Sequence, residues 1–190
     1  NRQCADCHST NVQVGSTNGG YETRFDAHNV ACEACHGAGL PHTNDTSKPY
    51  ADVACAPCHS RRSQIAEGFQ PPDQLLDYYV PAPTIRPLYF DDGQIRDEVY
   101  VYGSFLQSRM HMAGVTCSDC HAPHSARLRS SGTALCLRCH NENPPNNFQD
   151  AVGNFDTPQH HMHPVTPIEC VDCHMPKRTY MQIDDRHDHS

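Results

Sequence analysis

Tryptophan is absent from this sequence of 190 residues, and phenylalanine occurs only six times. Hydrophobic residues make up 37% of the chain, a figure that already includes twelve cysteines. Burial of large apolar side chains is the main favourable term in folding, so a core made of protein alone would be poor. We therefore expect that bound apolar groups, rather than side chains, fill most of the interior.

Positive charge and long apolar runs are also scarce. Lysine and arginine number 14 against 22 aspartates and glutamates, which gives a formal net charge of -8. Proteins that bind nucleic acid usually carry a basic patch, and this chain has none, so we predict no nucleic-acid partner. No apolar run approaches the ~20 residues that span a bilayer, so we predict no transmembrane segment.

Cysteine, in contrast, is abundant and regularly spaced. All twelve cysteines fall in six pentapeptides of the form C-x-x-C-H. These are CADCH (4–8), CEACH (32–36), CAPCH (55–59), CSDCH (117–121), CLRCH (136–140) and CVDCH (170–174). This spacing is the attachment signature for c-type haem: two thiols add to the two vinyl groups of one porphyrin edge, and the histidine binds the iron.

The motifs therefore predict six covalently bound haem c groups. The predicted attachment residues are Cys4, Cys7, Cys32, Cys35, Cys55, Cys58, Cys117, Cys120, Cys136, Cys139, Cys170 and Cys173. The predicted proximal iron ligands are His8, His36, His59, His121, His140 and His174. Zinc ribbons and a disulfide framework are the alternatives, but neither requires a histidine directly after every second cysteine.

The spacing of the motifs bears on the fold. They are close together except for one long insertion at 60–116, so we predict a single hexahaem domain over 1–190. The fold class we expect is haem-dominated and mostly irregular coil, with short α-helices and at most one small β-hairpin. Within the insertion, Asp92-Gly93 favours a hairpin over Leu88–Ile95. Apolar residues at helical spacing from Val99 predict a helix of roughly three turns that ends near Gly114.

Histidine supplies the candidates for the second axial position of each iron. Fifteen histidines are present, and the motifs use six of them. The nine that remain are His28, His42, His111, His124, His160, His161, His163, His187 and His189. We expect distal ligands to be donated between neighbouring haems. On that basis, one or two of His160, His161 and His163 would serve irons other than the one attached at Cys170 and Cys173.

For the other spare histidines, the short distance in sequence to the nearest motif indicates which iron each could bind. His28 and His111 precede their nearest motifs closely, and His42 and His124 follow theirs closely, so each is placed to ligate a neighbouring iron. His187 and His189 sit near the end of the sequence, where one of them could reach a haem. Methionine is the alternative distal ligand, and it raises the potential. The methionines are Met110, Met112, Met162, Met175 and Met181.

The chain resembles a family of multihaem c-type cytochromes, often found before tetratricopeptide repeats in exported bacterial proteins. The resemblance lies in stretches such as "VACEACHGAGLPH", "GVTCSDCHAPHSARL", "HHMHP" and "CVDCHMPKRTYMQIDDRHDHS". It implies electron-carrying haems. It also implies that His42, His124, the cluster at 160–163 and His189 are axial ligands, with His160 and His163 our choices within the cluster.

The function we predict is electron transfer through six mainly bis-histidine haems, without substrate chemistry. The partners would be other redox proteins or copies of the chain itself, since small multihaem cytochromes can also polymerise into conducting filaments. A reductase or oxidase of a small nitrogen or sulfur compound is the alternative, and it needs one open iron position. Haem c is attached outside the cytoplasm, so we expect a periplasmic, cell-surface or extracellular location. We interpret the start of the sequence, three residues before the first motif, as a mature or trimmed chain.

Overall fold

Short elements dominate the computed structural model of this chain, which describes residues 2–37, 54–71, 73–161, 168–180 and 184–190. Within these ranges no helix exceeds seven residues. The helices are α1 (Arg2–His8), α2 (Cys32–His36), α3 (Ala56–His59), α4 (Leu75–Tyr78), α5 (Tyr102–Phe105), α6 (Arg109–Met112), α7 (Cys117–Cys120), α8 (Thr133–Cys136), α9 (Pro158–His161) and α10 (Cys170–His174). A 3₁₀ helix covers Asn146–Ala151. The prediction of short helices in a chain that is mostly coil is confirmed.

The strands form small antiparallel pairs. They are β1 (Ser9–Thr10), β2 (Gln13–Thr17), β3 (Gly20–Arg24), β4 (Ala27–His28), β5 (Arg62–Gln64), β6 (Tyr79–Pro81), β7 (His121–Ala122), β8 (Arg127–Leu128), β9 (Lys177–Tyr180) and β10 (Asp184–His187). In the described ranges they make five two-stranded sheets: β1 with β4, β2 with β3, β5 with β6, β7 with β8, and β9 with β10. The expectation of at most one hairpin is therefore wrong.

The longest of these pairs had a local signal in the sequence. Thr17 pairs with Gly20, so β2 and β3 are joined by the two residues Asn18 and Gly19. Asn-Gly is the strongest short-range sequence sign of a two-residue hairpin turn. In this turn the residue with positive φ is Gly20, at 144°, rather than Asn18 or Gly19. The predicted hairpin over Leu88–Ile95 is reduced to a single bridge between Tyr89 and Ile95.

The predicted long helix after Val99 is interrupted. It forms as the two one-turn helices α5 and α6, because Ser108 adopts an extended conformation between them. The Ser108 hydroxyl accepts a hydrogen bond from the His111 backbone N–H at 3.0 Å, which caps a new helix start. The prediction that the helical segment ends near Gly114 is confirmed, since α6 ends at Met112. Gly114 has φ of 86°, and its N–H donates to the His111 carbonyl at 2.9 Å.

Two compact units make up the chain, Asn1–Pro83 and Thr84–Ser190. The first contains motifs one to three and the second contains motifs four to six, so the boundary falls inside the long insertion. The single hexahaem domain over 1–190 stays a prediction. Buried apolar side chains among the described residues are Ala56, Leu75 and Tyr79 in the first unit, and Tyr89, Val99, Phe105 and Phe148 in the second. Apart from Ala56, these lie outside the motifs.

Candidate functional site

Each of the six C-x-x-C-H motifs overlaps a short α-helix. Motifs two and six coincide with α2 and α10, and motif one forms the end of α1. In motif three, Cys55 precedes the first residue of α3, and in motif four, His121 follows the last residue of α7. Motif five differs in that α8 ends at its first cysteine, Cys136.

Even motif five closes a helical turn. The His140 N–H donates to the Cys136 carbonyl at 2.9 Å, as the His59 N–H does to the Cys55 carbonyl at 2.9 Å. The His121 N–H likewise donates to the Cys117 carbonyl. Residues three apart lie on the same face of a helical turn, so both thiols of a motif point to one side. This arrangement fits two thioether links to one porphyrin edge.

The thiols are also accessible. All twelve cysteines fall within the described residues, and each is a thiol rather than half of a disulfide. Cys4, Cys32 and Cys173 are exposed, and the other nine are half-buried. Among the described residues, no group of three or more histidine, cysteine and acidic side chains is arranged to hold a bare metal ion. The conformation and exposure of the thiols therefore suit covalent haem attachment.

In the first unit, thiols from different motifs lie side by side. The Cys58 thiol hydrogen-bonds to Cys7, which lowers the pKa of Cys7 to about 6, with a further contribution from the positive charge of Arg62. The same hydrogen bond, together with burial, raises the pKa of Cys58. The pKa of Cys35 is raised mainly by burial and then by the neighbouring Cys55. Motif three therefore adjoins both motif one and motif two.

The contact between motifs one and three is also visible in the backbone. The Cys7 sulfur lies 3.9 Å from the carbonyl oxygen of Pro57, which is the third residue of motif three. Helices α1 and α3 pack together, although about fifty residues separate them in the chain.

Motifs four, five and six adjoin one another in the second unit. Burial, together with the neighbouring Cys170, raises the pKa of Cys136 to about 11. Burial also raises the pKa of Cys120, with smaller contributions from Asp119 and from Cys139. Motif five therefore lies between motifs four and six.

A hydroxyl joins the last two motif helices directly. The Cys170 backbone N–H donates to the Thr133 side-chain oxygen at 3.3 Å, and the Cys170 sulfur lies 3.7 Å from the same oxygen. The first N–H groups of a helix have no partner inside the helix. Thr133, on α8, therefore satisfies one of them at the start of α10.

Acidic residues inside two motifs cap the helices on which they lie. The Thr116 N–H donates to the Asp119 carboxylate at 2.7 Å, and the Glu169 N–H donates to the Asp172 carboxylate at 2.9 Å. Sequence reasoning did not single out these aspartates. An acidic residue three positions after the N-cap is a known sign of a helix start, so the information was present.

The structure places most of the predicted distal histidines. His28 pairs with Ser9 directly after motif one, and its ring lies 4.6 Å from that of Phe25. His111 lies on α6 with its ring 5.3 Å from that of Phe105. His124 is exposed in the turn between β7 and β8. His42 and His163 lie outside the described residues.

The two histidines near the end of the sequence have well-defined ring orientations. The Nδ1 atom of His189 lies 2.9 Å from the His187 carbonyl oxygen, and Nδ1 of His187 lies 2.7 Å from the Met175 carbonyl oxygen. Metal-binding histidines commonly use one ring nitrogen in this way and leave the other for the metal. Burial lowers the pKa of His189, and His121 contributes in the same direction. This shift favours the neutral imidazole, the form that binds a metal.

A row of rings connects motifs five and six. His140 lies 5.6 Å from Phe155, which lies 4.9 Å from His160. His160 lies 4.6 Å from His161, which in turn lies 6.2 Å from His174. All of these distances join ring centroids. The row brings the predicted ligand His160, and also its neighbour His161, close to the proximal histidines of two motifs.

Two family models match parts of the chain, one toward each end of the sequence. The family model described as cytochrome c3 matches residues 107–185, which contain motifs four to six. The family model described as cytochrome c554 and c-prime matches residues 1–37, which contain motifs one and two. No curated protein and no solved structure matches the chain. The two family matches confirm the resemblance to multihaem c-type cytochromes and suggest electron transfer.

Proposed function

We propose, from this likeness to multihaem c-type cytochromes, that the chain is an electron carrier with six haem c groups. The twelve motif cysteines would attach them, and the six motif histidines would each bind one iron. When bound, haem c supplies a one-electron couple whose potential depends on its axial ligands and surroundings. The family matches and the helical conformation of the motifs support this assignment.

The observation that carries the proposal is the contact between motifs within each unit. Four pairs of cysteines from different motifs are neighbours: Cys7 with Cys58, Cys35 with Cys55, Cys120 with Cys139, and Cys136 with Cys170. Carriers attached at such neighbouring thiols would have their porphyrin edges close together. The order of neighbours is then one–three–two in the first unit and four–five–six in the second.

Histidine ligation on both sides of each iron would exclude substrate from the metal. Seven spare histidines remain our distal candidates: His28, His42, His111, His124, His160, His163 and His189. With every axial position filled, the chain would pass electrons to other redox proteins or to copies of itself. The same features suit a subunit of a polymerising filament. A reductase or oxidase with one open iron position is the second candidate.

We propose an exported location for the protein, in the periplasm, on the cell surface or outside the cell. Multihaem c-type cytochromes are usually exported. None of the helices in the described ranges is long and apolar enough to cross a membrane.

The test is the haem content and spin state of the protein purified from a host that matures c-type cytochromes. Intact mass and the pyridine haemochrome assay should both give six haems per chain. Electron paramagnetic resonance should show only low-spin ferric iron, and carbon monoxide should form no adduct with the reduced protein. A mass equal to the bare polypeptide would refute the proposal. A high-spin signal with one adduct per chain would favour the enzyme.

A further inference from the structure

The pair His161 and His174 has a geometry that sequence reasoning did not anticipate. His174 is the last residue of α10 and the predicted proximal ligand of motif six. His161 is the last residue of α9 and is half-buried. Their ring centroids are 6.2 Å apart, and the ring planes cross at 70°.

This separation is the one that two axial imidazoles need. With a metal–nitrogen bond of about 2 Å on each side and each centroid about 1 Å behind its nitrogen, the centroids are about 6 Å apart. The neighbouring ring pair fails the same criterion. His160 and His161 are 4.6 Å apart, which leaves no room for an iron between them.

Among the described residues, the ring contacts of His160 are with Phe155 and His161. Its ring meets Phe155 edge-on at 4.9 Å, with an interplanar angle of 89°. It also meets His161 nearly at right angles, at 84°. His160 therefore lies against both Phe155 and His161, while His161 lies next to the ring of His174.

We propose that His161 and His174 are the two axial ligands of the iron attached at Cys170 and Cys173. This inference rests on the proposed function, since it requires a haem at motif six. Within the cluster at 160–163, it assigns His161 to the iron of motif six itself. It also assigns a role to His161, which was not among the seven distal candidates, and leaves His160 and His163 as candidates for other irons.

The test is the variant His161→Ala in the purified holoprotein. One of the six irons should change from low spin to high spin, and the reduced protein should bind one carbon monoxide per chain. The haem count should stay at six, because His161 does not take part in attachment. Fewer than six haems in the unmodified protein would instead count against the proposed function. Failure of that proposal can therefore be distinguished from failure of the His161–His174 pairing.

A second background identifies the affected iron. Replacing Cys170 and Cys173 by alanine removes the haem of motif six, and adding His161→Ala to that background should then create no new high-spin iron. If a new high-spin iron still appears, His161 serves a different haem and the proposal is wrong. The proposal is also wrong if His161→Ala leaves all six irons low-spin.

Two rival histidines serve as comparisons. His160 is adjacent in sequence, and His187 is held by the Met175 carbonyl next to His174. If His160→Ala or His187→Ala, rather than His161→Ala, exposes the iron of motif six, the pairing is overturned. If His161→Ala does not yield folded protein, His161→Met tests the same point, because a methionine ligand should give one iron a thioether-to-iron absorption band and a raised potential. The absence of both changes would contradict the pairing.

Discussion

Replacing Gly132 by alanine should destabilise the second unit by an amount that the structure predicts. Gly132 immediately precedes α8 and has φ of 56° and ψ of -146°. This region of backbone space is nearly exclusive to glycine, and holding another residue there costs about 1–3 kcal/mol. A Cβ atom would also lie 2.5 Å from a carboxylate oxygen of Glu169, just before α10. That carboxylate can swing away, so we expect backbone strain to dominate, with a total of about 2 kcal/mol.

Two other glycines separate strain from crowding. Gly114 has φ of 86° and nothing within 4 Å of an added Cβ, so Gly114→Ala should cost about 1–2 kcal/mol from strain alone. Gly15 has no positive φ and equally open space. Gly15→Ala should therefore change stability by no more than about 0.5 kcal/mol, or improve it slightly.

The measurement is denaturant or thermal unfolding of the three holoproteins, followed by circular dichroism. For a chain of this length 1 kcal/mol corresponds to about 2–4 °C, so Gly132→Ala should lower the Tm by about 4–8 °C. The expected order of loss is Gly132, then Gly114, then Gly15. If Gly132→Ala were no more costly than Gly15→Ala, the strain assigned to the start of α8 would be wrong.

Two further substitutions test packing in the second unit. Thr133→Val keeps the side-chain shape but removes the oxygen that accepts from the Cys170 N–H, so it should lower the free energy of unfolding by about 1 kcal/mol. Thr133→Ser keeps that oxygen and should retain most of the stability. Equal stability of the two variants would contradict this role of Thr133. Val99 is 1% exposed, so Val99→Ala should cost about 2 kcal/mol in an unfolding titration, through lost burial and a cavity. Val152 is 52% exposed, and Val152→Ala should change stability by less than about 0.5 kcal/mol; a similar loss for both valines would argue against the assigned core.

Part of the fold could be predicted because its signals are local. The end of the insertion segment at Gly114 follows from the ability of glycine to adopt a positive φ. The hairpin at Asn18-Gly19 has an equally local signal, since the Asn-Gly pair lies directly between β2 and β3. The break at Ser108 is different, because serine is favoured at N-caps but is also tolerated inside helices. Which conformation it takes depends on the packing around it, where Ser108 is 2% exposed.

In the candidate site, too, the residues with a local sequence signal could be predicted and the others could not. Attachment needs two cysteines and a histidine within five consecutive residues, and one helical turn is enough to arrange them. The distal histidines offered no such pattern, since nine were available and several were near more than one motif. The sequence favoured His160 over His161, whereas the ring separations favour His161 as the partner of His174.

The sequence by itself determined the six C-x-x-C-H motifs, each closed by a histidine, and a chain of short helices with little apolar core. Each of these depends on residues that are adjacent or one turn apart, so the covalent chain already brings them together. Only the tertiary structure decided that motif three adjoins motif one, that Thr133 meets Cys170, and that His161 faces His174. Those contacts join residues between 13 and about fifty positions apart, and the path of the backbone between them, rather than any local pattern, sets their distances.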